Sequence, residues 1–155
     1  MRSYKGKWKP KNLKKYAGDP AKIVYRSLWE RNAFRYLDDN PNIVKWVSEE
    51  VVIPYICQTD GRKHRYYIDL YFETKEGDKY LIEIKPYNQT QPPKGTRKTK
   101  RLLNETLTYV KNQSKWRAAR DFAKENGVTF MVWTEHELEG LGIKTLSGRK
   151  KKING

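Results

Sequence analysis

His64-Arg65-Tyr66-Tyr67-Ile68-Asp69-Leu70-Tyr71-Phe72-Glu73 alternates along its length, and after the turn Glu76-Gly77-Asp78 comes Tyr80-Leu81-Ile82-Glu83-Ile84-Lys85-Pro86. The alternation predicts a strand over 64–73, with Tyr66, Ile68, Leu70 and Phe72 on one face and Tyr67, Asp69 and Tyr71 on the other. A second strand over 80–85 puts Tyr80, Ile82 and Ile84 on one face and Leu81, Glu83 and Lys85 on the other, and Pro86 stops it. Paired as a hairpin about Gly77, Asp69 falls opposite Glu83 or Ile84, and Lys85 projects from the same face as Glu83. One sheet face then carries a pair of acids and an amine.

Acids placed mid-strand among Ile, Leu and Tyr are costly to bury unless something pairs with them. They make a poor packing surface and a good metal site. Mg²⁺ prefers oxygen ligands and keeps several waters. Asp69 and Glu83 can supply carboxylates and Ile84 its carbonyl, with Mn²⁺ as an acceptable substitute ion. An ion there makes water a better nucleophile and neutralises charge on a phosphorane-like transition state. Lys85 is placed to orient or deprotonate the attacking water, or to stabilise developing charge. The residues alone leave a second reading open. Asp69, Glu83 and Lys85 could form an ordinary cross-strand ion pair on a solvated face, contributing roughly 0.2–1 kcal/mol.

Outward from the hairpin, Leu28, Trp29, Ala33, Tyr36 and Leu37 recur at helical spacing, predicting a helix whose clearest part is 27–37, with Pro41 ending it. Within it, Glu30 could close a capping box begun at Ser27, or pair with Arg26 at i, i+4. Residues 50–57 read as a strand centred on Val51-Val52-Ile53, followed by the turn Thr59-Asp60-Gly61. A long loop over 86–100 carries Gln89, Gln91, Lys94, Arg97, Lys98 and Lys100. A helix over 99–126 follows, with Leu103, Leu107, Val110, Trp116, Ala119, Phe122 and Ala123 as its apolar positions and Gly127 as its cap. Residues 128–134 read as a last strand. The order α-β-β-β-α-β predicts an α/β fold with a mixed central sheet flanked by helices. Gln89, Gln91, Asn112, Gln113 and Lys115 could line a site at the mouth of the loop and long helix, or lie on the surface. Cys57, His64 and His136 are too isolated in sequence to carry a claim.

The 155 residues suit one domain able to bury a core. Lys and Arg total 33 against 18 Asp and Glu, a formal charge of +15 that calls for an anionic partner, most commonly nucleic acid. Aromatics at 13% argue against disorder. There is no apolar run of about 18 residues, so no spanning helix is expected, and residues 1–8 lack the apolar stretch of a signal peptide. The single Cys57 fits a reducing compartment and excludes a Cys-rich zinc site. Residues 1–19 read as a basic arm ordered where its Tyr and Trp find a surface, and 147–155 as a basic tail. Both are either solvated ends or DNA contacts.

A helix with Glu30, a strand with Asp69 and then Glu83-Ile84-Lys85, with thirteen residues between Asp69 and Glu83, resembles the PD-(D/E)XK nuclease core. Ile68 stands where that motif often has proline. The resemblance narrows further on Tyr25-Arg26-Ser27-Leu28-Trp29-Glu30, Ser48-Glu49-Glu50-Val51-Val52-Ile53-Pro54-Tyr55, Glu83-Ile84-Lys85-Pro86, Gln89-Thr90-Gln91-Pro92-Pro93 and Asn112-Gln113-Ser114-Lys115-Trp116. These, with the Lys-rich start, resemble the head completion nucleases of large contractile-tailed phages, and more distantly the end-cleaving nuclease subunit of some transposons. The resemblance implies a restriction-endonuclease-like core and a catalytic set of Glu30, Asp69, Glu83 and Lys85, with Glu30 completing the metal shell through water. It implies an endonuclease, with exonuclease action as a secondary expectation, that acts on packaged DNA and prepares filled heads for tail joining. The residues themselves show no recognition helix with base-reading side chains, so strong sequence specificity is not expected. The partners implied are DNA and proteins of the phage head or portal vertex. The place implied is the host cytoplasm during virion assembly, with retention in the virion. The competing expectation is a non-catalytic DNA-binding joining module at the portal vertex.

Overall fold

The computed structural model describes residues 5–145; the tail expected over 147–155 lies outside the described residues, as do residues 1–4. In chain order the elements are β1 (Gly6–Lys7), β2 (Val24–Tyr25), α1 (Leu28–Asp39), β3 (Ile43–Ser48), β4 (Val52–Ile56), β5 (Lys63–Tyr67), β6 (Leu70–Thr74), β7 (Lys79–Ile84), α2 (Lys100–Asn126), β8 (Thr129–Trp133) and α3 (Glu135–Gly140). A mixed sheet of order β3-β6-β7-β8 forms the centre, with β7 and β8 parallel and the other pairs antiparallel. The strand pairs β4-β5 and β1-β2 form separate small sheets. The architecture is α/β with a mixed central sheet between helices, as the element order predicts, and agrees with the restriction-endonuclease-like core that the resemblance implies.

The two long helices pack on opposite faces of the central sheet, with Leu138 of α3 joining α1. On one face, Phe34 and Leu37 of α1 pack with Trp46, Leu70, Phe72, Ile82 and Trp133. On the other, Trp116, Ala119 and Ala123 of α2 pack with Leu81 and with Ile53, Tyr55, Tyr66 and Ile68. The ends of the helices are set locally. Ser27 accepts the Glu30 N–H at 3.1 Å to open α1, and Thr99 accepts the Leu102 N–H at 3.0 Å to open α2. Gly127 closes α2 in the left-handed region, at φ 69°.

The N-terminal residues lie along the domain. Trp8 meets Phe34 and Trp46 edge-on, each at 5.8 Å between ring centroids, and Tyr16 meets Trp46 at 4.7 Å. Lys15 Nζ donates to the carbonyls of Leu37, Asp38 and Asn40, each at 2.8 Å, which satisfies the open C-terminal end of α1. The buried Asp38 carboxylate accepts the backbone N–H groups of Lys11 and Asn12 at 2.9 and 3.3 Å.

The structure corrects three readings. Residues 43–48 form a strand, β3, that the sequence pattern did not expose. A register shift between Ile43 and Lys45 breaks its alternation, so its burial does not follow period two. The strand expected over 64–73 is instead two strands in different sheets, parted at Ile68-Asp69. The break sends Tyr66 and Ile68 to the α2 side, whereas Leu70 and Phe72 face α1. Finally, the first turns of α2 run beyond the sheet, leaving Leu103 58% and Leu107 45% exposed although their spacing resembles a core stripe. Among the described residues no helix is long and apolar enough to cross a membrane.

The core contribution of α2 therefore comes from its second half. Leu103→Ser or Leu107→Ser should change unfolding free energy by less than about 0.5 kcal/mol. Trp116→Ala should cost about 3–5 kcal/mol. Chemical denaturation of the three variants against the parent checks the contrast, and equal losses would mean the helix packs along its whole length.

Candidate active site

The break at Ile68-Asp69 places an acid where three elements meet. The β6-β7 register pairs Leu70 with Ile82, so Asp69 sits beside Glu83 as the hairpin reading requires. Asp69 Oδ2 accepts the Ile84 backbone N–H at 2.7 Å. Glu83 is 6% exposed, and its Oε1 accepts the Tyr66 hydroxyl at 2.5 Å. Its Oε2 lies 3.6 Å from Lys85 Nζ. A buried Glu83 does not fit the alternative of an ion pair on a solvated face.

Glu30 reaches this point from the first turn of α1. Its Oε1 accepts the Arg26 backbone N–H at 2.8 Å, one residue short of the reciprocal bond of a capping box. The Arg26 guanidinium pairs with Glu49. Carboxylate oxygens of Glu30, Glu49 and Asp69 lie within 4.8 Å of one another. The structure thus brings Glu30, Asp69, Glu83 and Lys85 together and adds Glu49, which sequence reasoning missed. Glu49 has φ 56°, the one left-handed non-glycine backbone among the described residues. That conformation is costly for a glutamate and is held by its N–H donating to the Asp69 carbonyl at 3.2 Å. Its only sequence signal is an acidic pair, Glu49-Glu50, between apolar runs.

Tyr66 is the second residue missed. In an unbroken strand it would share a face with Leu70 and point away from Glu83. Of the expected rim, Lys115 comes closest, its Nζ 5.4 Å from the centroid of the Tyr66 ring, a cation–π distance. Gln113 is half-buried, while Gln89, Gln91, Lys94, Arg97, Lys98 and Lys100 are exposed along the loop and the start of α2, with no contact to the acids.

The acids perturb one another. Burial, then the neighbouring Glu83 charge, raises the Asp69 carboxyl well above its usual range, and the Ile84 N–H only partly offsets this. Burial also raises Glu30 against the opposing Arg26 N–H, with Glu49 adding to the rise. Burial lowers the Lys115 ammonium, opposed chiefly by Glu83. Close, partly desolvated carboxylates that resist ionisation are poor neighbours without a cation. Among the described residues each of Glu30 and Asp69 has one oxygen held by a backbone donor and one left without. Such a hard-oxygen set, with carboxylate oxygens of Glu30, Glu49 and Asp69 within 4.8 Å of one another and Glu83 beside Asp69, is of the chemical type that suits a divalent ion such as Mg²⁺.

A carboxyl raised on folding favours the folded state below its unfolded pKa and loses that contribution as pH rises through its folded pKa. Glu30 and Asp69 therefore weigh against the metal-free fold at neutral pH. Asp69→Asn and Glu30→Gln should each raise the thermal midpoint in EDTA by a few degrees at pH 7–8. The gain should vanish near pH 3, where the wild-type groups are protonated. Midpoints that fall at pH 7–8 would show that the carboxylates stabilise the empty site.

The family profile described as "TnsA-like endonuclease N terminal" matches residues 40–135, which span β3 through β8 and so hold Glu49, Asp69, Glu83 and Lys85. The chain is also 46% identical over 147 residues to the head completion nuclease of Enterobacteria phage T4, an alignment covering 92% of this chain and 98% of that protein. The chain therefore belongs to the TnsA-like endonuclease family, as a relative of the phage head completion nuclease.

Proposed function

We propose that this chain is a Mg²⁺-dependent deoxyribonuclease that hydrolyses phosphodiester bonds of packaged phage DNA during head completion and head-tail joining. Its place of action is the host cytoplasm, its partners are DNA and proteins of the phage head or portal vertex, and endonuclease cutting is its main activity. The observation that carries this reading is the convergence of Glu30, Asp69, Glu83 and Lys85 at one seam of the sheet. The net charge of +15 adds a sequence-independent attraction to the phosphate backbone.

Each residue has a task. Asp69 and Glu83 would hold the ion, with the Ile84 carbonyl and Glu30 as further oxygen donors. The bound ion would supply Lewis-acid neutralisation of the phosphate and a lowered pKa for water. Lys85, tethered beside Glu83, orients the attacking water and offsets charge that grows on the phosphate oxygens. Tyr66 clamps one Glu83 oxygen, so the carboxylate turns its other oxygen toward Lys85 and the site. Lys115 is positioned to meet a phosphate entering over the Tyr66 ring. The exposed Lys94, Arg97, Lys98 and Lys100 would add to the attraction of the phosphate backbone.

Supercoiled plasmid and linear duplex incubated with the protein in Mg²⁺, Mn²⁺ or EDTA should be cut in either metal and spared in EDTA. Glu83→Ala and Lys85→Ala should each lower the rate by at least about a thousandfold. Tyr66→Phe should lower it by about 10–100-fold and demand more Mg²⁺ for half-maximal rate. Folding is followed by circular dichroism. If wild type binds DNA and cuts none in any metal, the chain is a joining module rather than an enzyme.

A further inference from the structure

The β4-β5 hairpin ends in a set of side chains unrelated to the acids described above. Cys57 closes β4, Asp60 lies in the turn and His64 lies on the returning strand β5. Sulfur, carboxylate oxygen and ring nitrogen from these residues all lie within 4.8 Å of one another. His64 Nε2 is 2.8 Å from Asp60 Oδ2. From this convergence we infer a soft-metal site, one that takes Zn²⁺ through Cys57 Sγ, Asp60 Oδ2 and His64 Nε2 and leaves the fourth position to water.

The chemistry suits that ion. Zn²⁺ binds Cys at about 2.3 Å and His or Asp at about 2.0–2.2 Å, so tetrahedral ligand atoms stand about 3.3–3.8 Å apart. To reach that arrangement the 2.8 Å separation of Asp60 and His64 would open, and the sulfur already lies within 4.8 Å of both. A thiolate and a carboxylate together balance the charge of a divalent ion. The set is sulfur- and nitrogen-bearing, which separates it from the all-oxygen centre at Asp69.

The surroundings already orient the donors, and Cys57 Sγ lies 3.0 Å from Thr59 Oγ1, a contact that a bound ion would displace. Asp60 Oδ1 accepts the Arg62 N–H at 2.9 Å, which leaves Oδ2 turned toward His64. That bond, and then His64, hold the Asp60 carboxyl below its usual range. The Tyr55 ring lies against the His64 ring at 5.6 Å between centroids. The Cys57 carbonyl accepts the Gly61 N–H at 2.7 Å, and the left-handed φ of +69° at Gly61 turns the chain back so that the Arg62 carbonyl accepts the Cys57 N–H at 2.9 Å and β5 returns with His64. Cys57 is 1% exposed and Asp60 is exposed, so the sulfur is sheltered and the ion enters from solvent. An ion there would clip the two strands together, two residues before Tyr66.

The test titrates the full, reduced chain with Co²⁺ in excess Mg²⁺, which occupies hard-oxygen sites. One Co²⁺ per chain should bind with a thiolate-to-metal charge-transfer band and the visible spectrum of a tetrahedral ion, and Zn²⁺ should displace it. Cys57→Ser should abolish the charge-transfer band. Asp60→Asn and His64→Asn, at accessible positions that tolerate change, should weaken binding at least about tenfold. Asp69→Asn should bind Co²⁺ as wild type does. Absence of the thiolate band in wild type overturns the inference, as does wild-type affinity in both Asp60→Asn and His64→Asn.

Discussion

Carboxylates held close together out of bulk water repel one another, and the domain is organised around containing that repulsion. Glu30, Glu49, Asp69 and Glu83 come from four separate segments, and each is restrained by a donor the fold supplies. Arg26 N–H holds Glu30, the Arg26 guanidinium holds Glu49, Ile84 N–H holds Asp69, and the Tyr66 hydroxyl holds Glu83. These contacts fix direction more than they remove charge, since Asp69 and Glu30 still resist ionisation. The arrangement is what a cation-binding centre requires and what a purely structural surface would avoid.

The seam between the central sheet and the β4-β5 pair makes this geometry possible. At Ile68-Asp69 the chain leaves one sheet and enters another, so neighbouring residues no longer alternate across a single surface. Tyr66 is thereby delivered to the face that carries Glu83, under the cover of α2. The opposite crossing, from β3 to β4, passes through Glu49 in its left-handed conformation and is tied to Asp69 by a backbone bond. Both crossings occur at acids. The left-handed backbone and the change of sheet thus fall where the acids are placed, while α1 and α2 pack on the sheet between them.

Much of this is legible from residues alone. Period-two alternation about Gly77 puts Glu83 and Lys85 on one face and Asp69 beside them, and the register agrees. Ser27, Thr99 and Gly127 mark helix ends through side-chain oxygens and a left-handed cap. The remainder depends on tertiary partners that a local pattern does not encode. Alternation continues smoothly through 64–73 although the hydrogen bonding changes partner midway. The bulge in β3 hides a strand rich in Val, Ile and Trp. Leu103 and Leu107 keep helical spacing where no sheet lies beneath them. Cys57, Asp60 and His64 are uninformative until the hairpin turn brings them together.

The pinning of one oxygen on each acid bears on discrimination between alkaline-earth ions. A carboxylate held by a protein donor through one oxygen is fixed in orientation, and its other oxygen is the freer one for an outward contact. Ca²⁺ gathers about six to eight oxygens at about 2.3–2.6 Å and draws heavily on two-handed carboxylates, whereas Mg²⁺ is content with six at about 2.0–2.1 Å and fills the remainder with water. In the proposed Mg²⁺ role, the backbone N–H groups of Arg26 and Ile84 and the Tyr66 hydroxyl would favour one-oxygen contacts and so the smaller ion, without touching it.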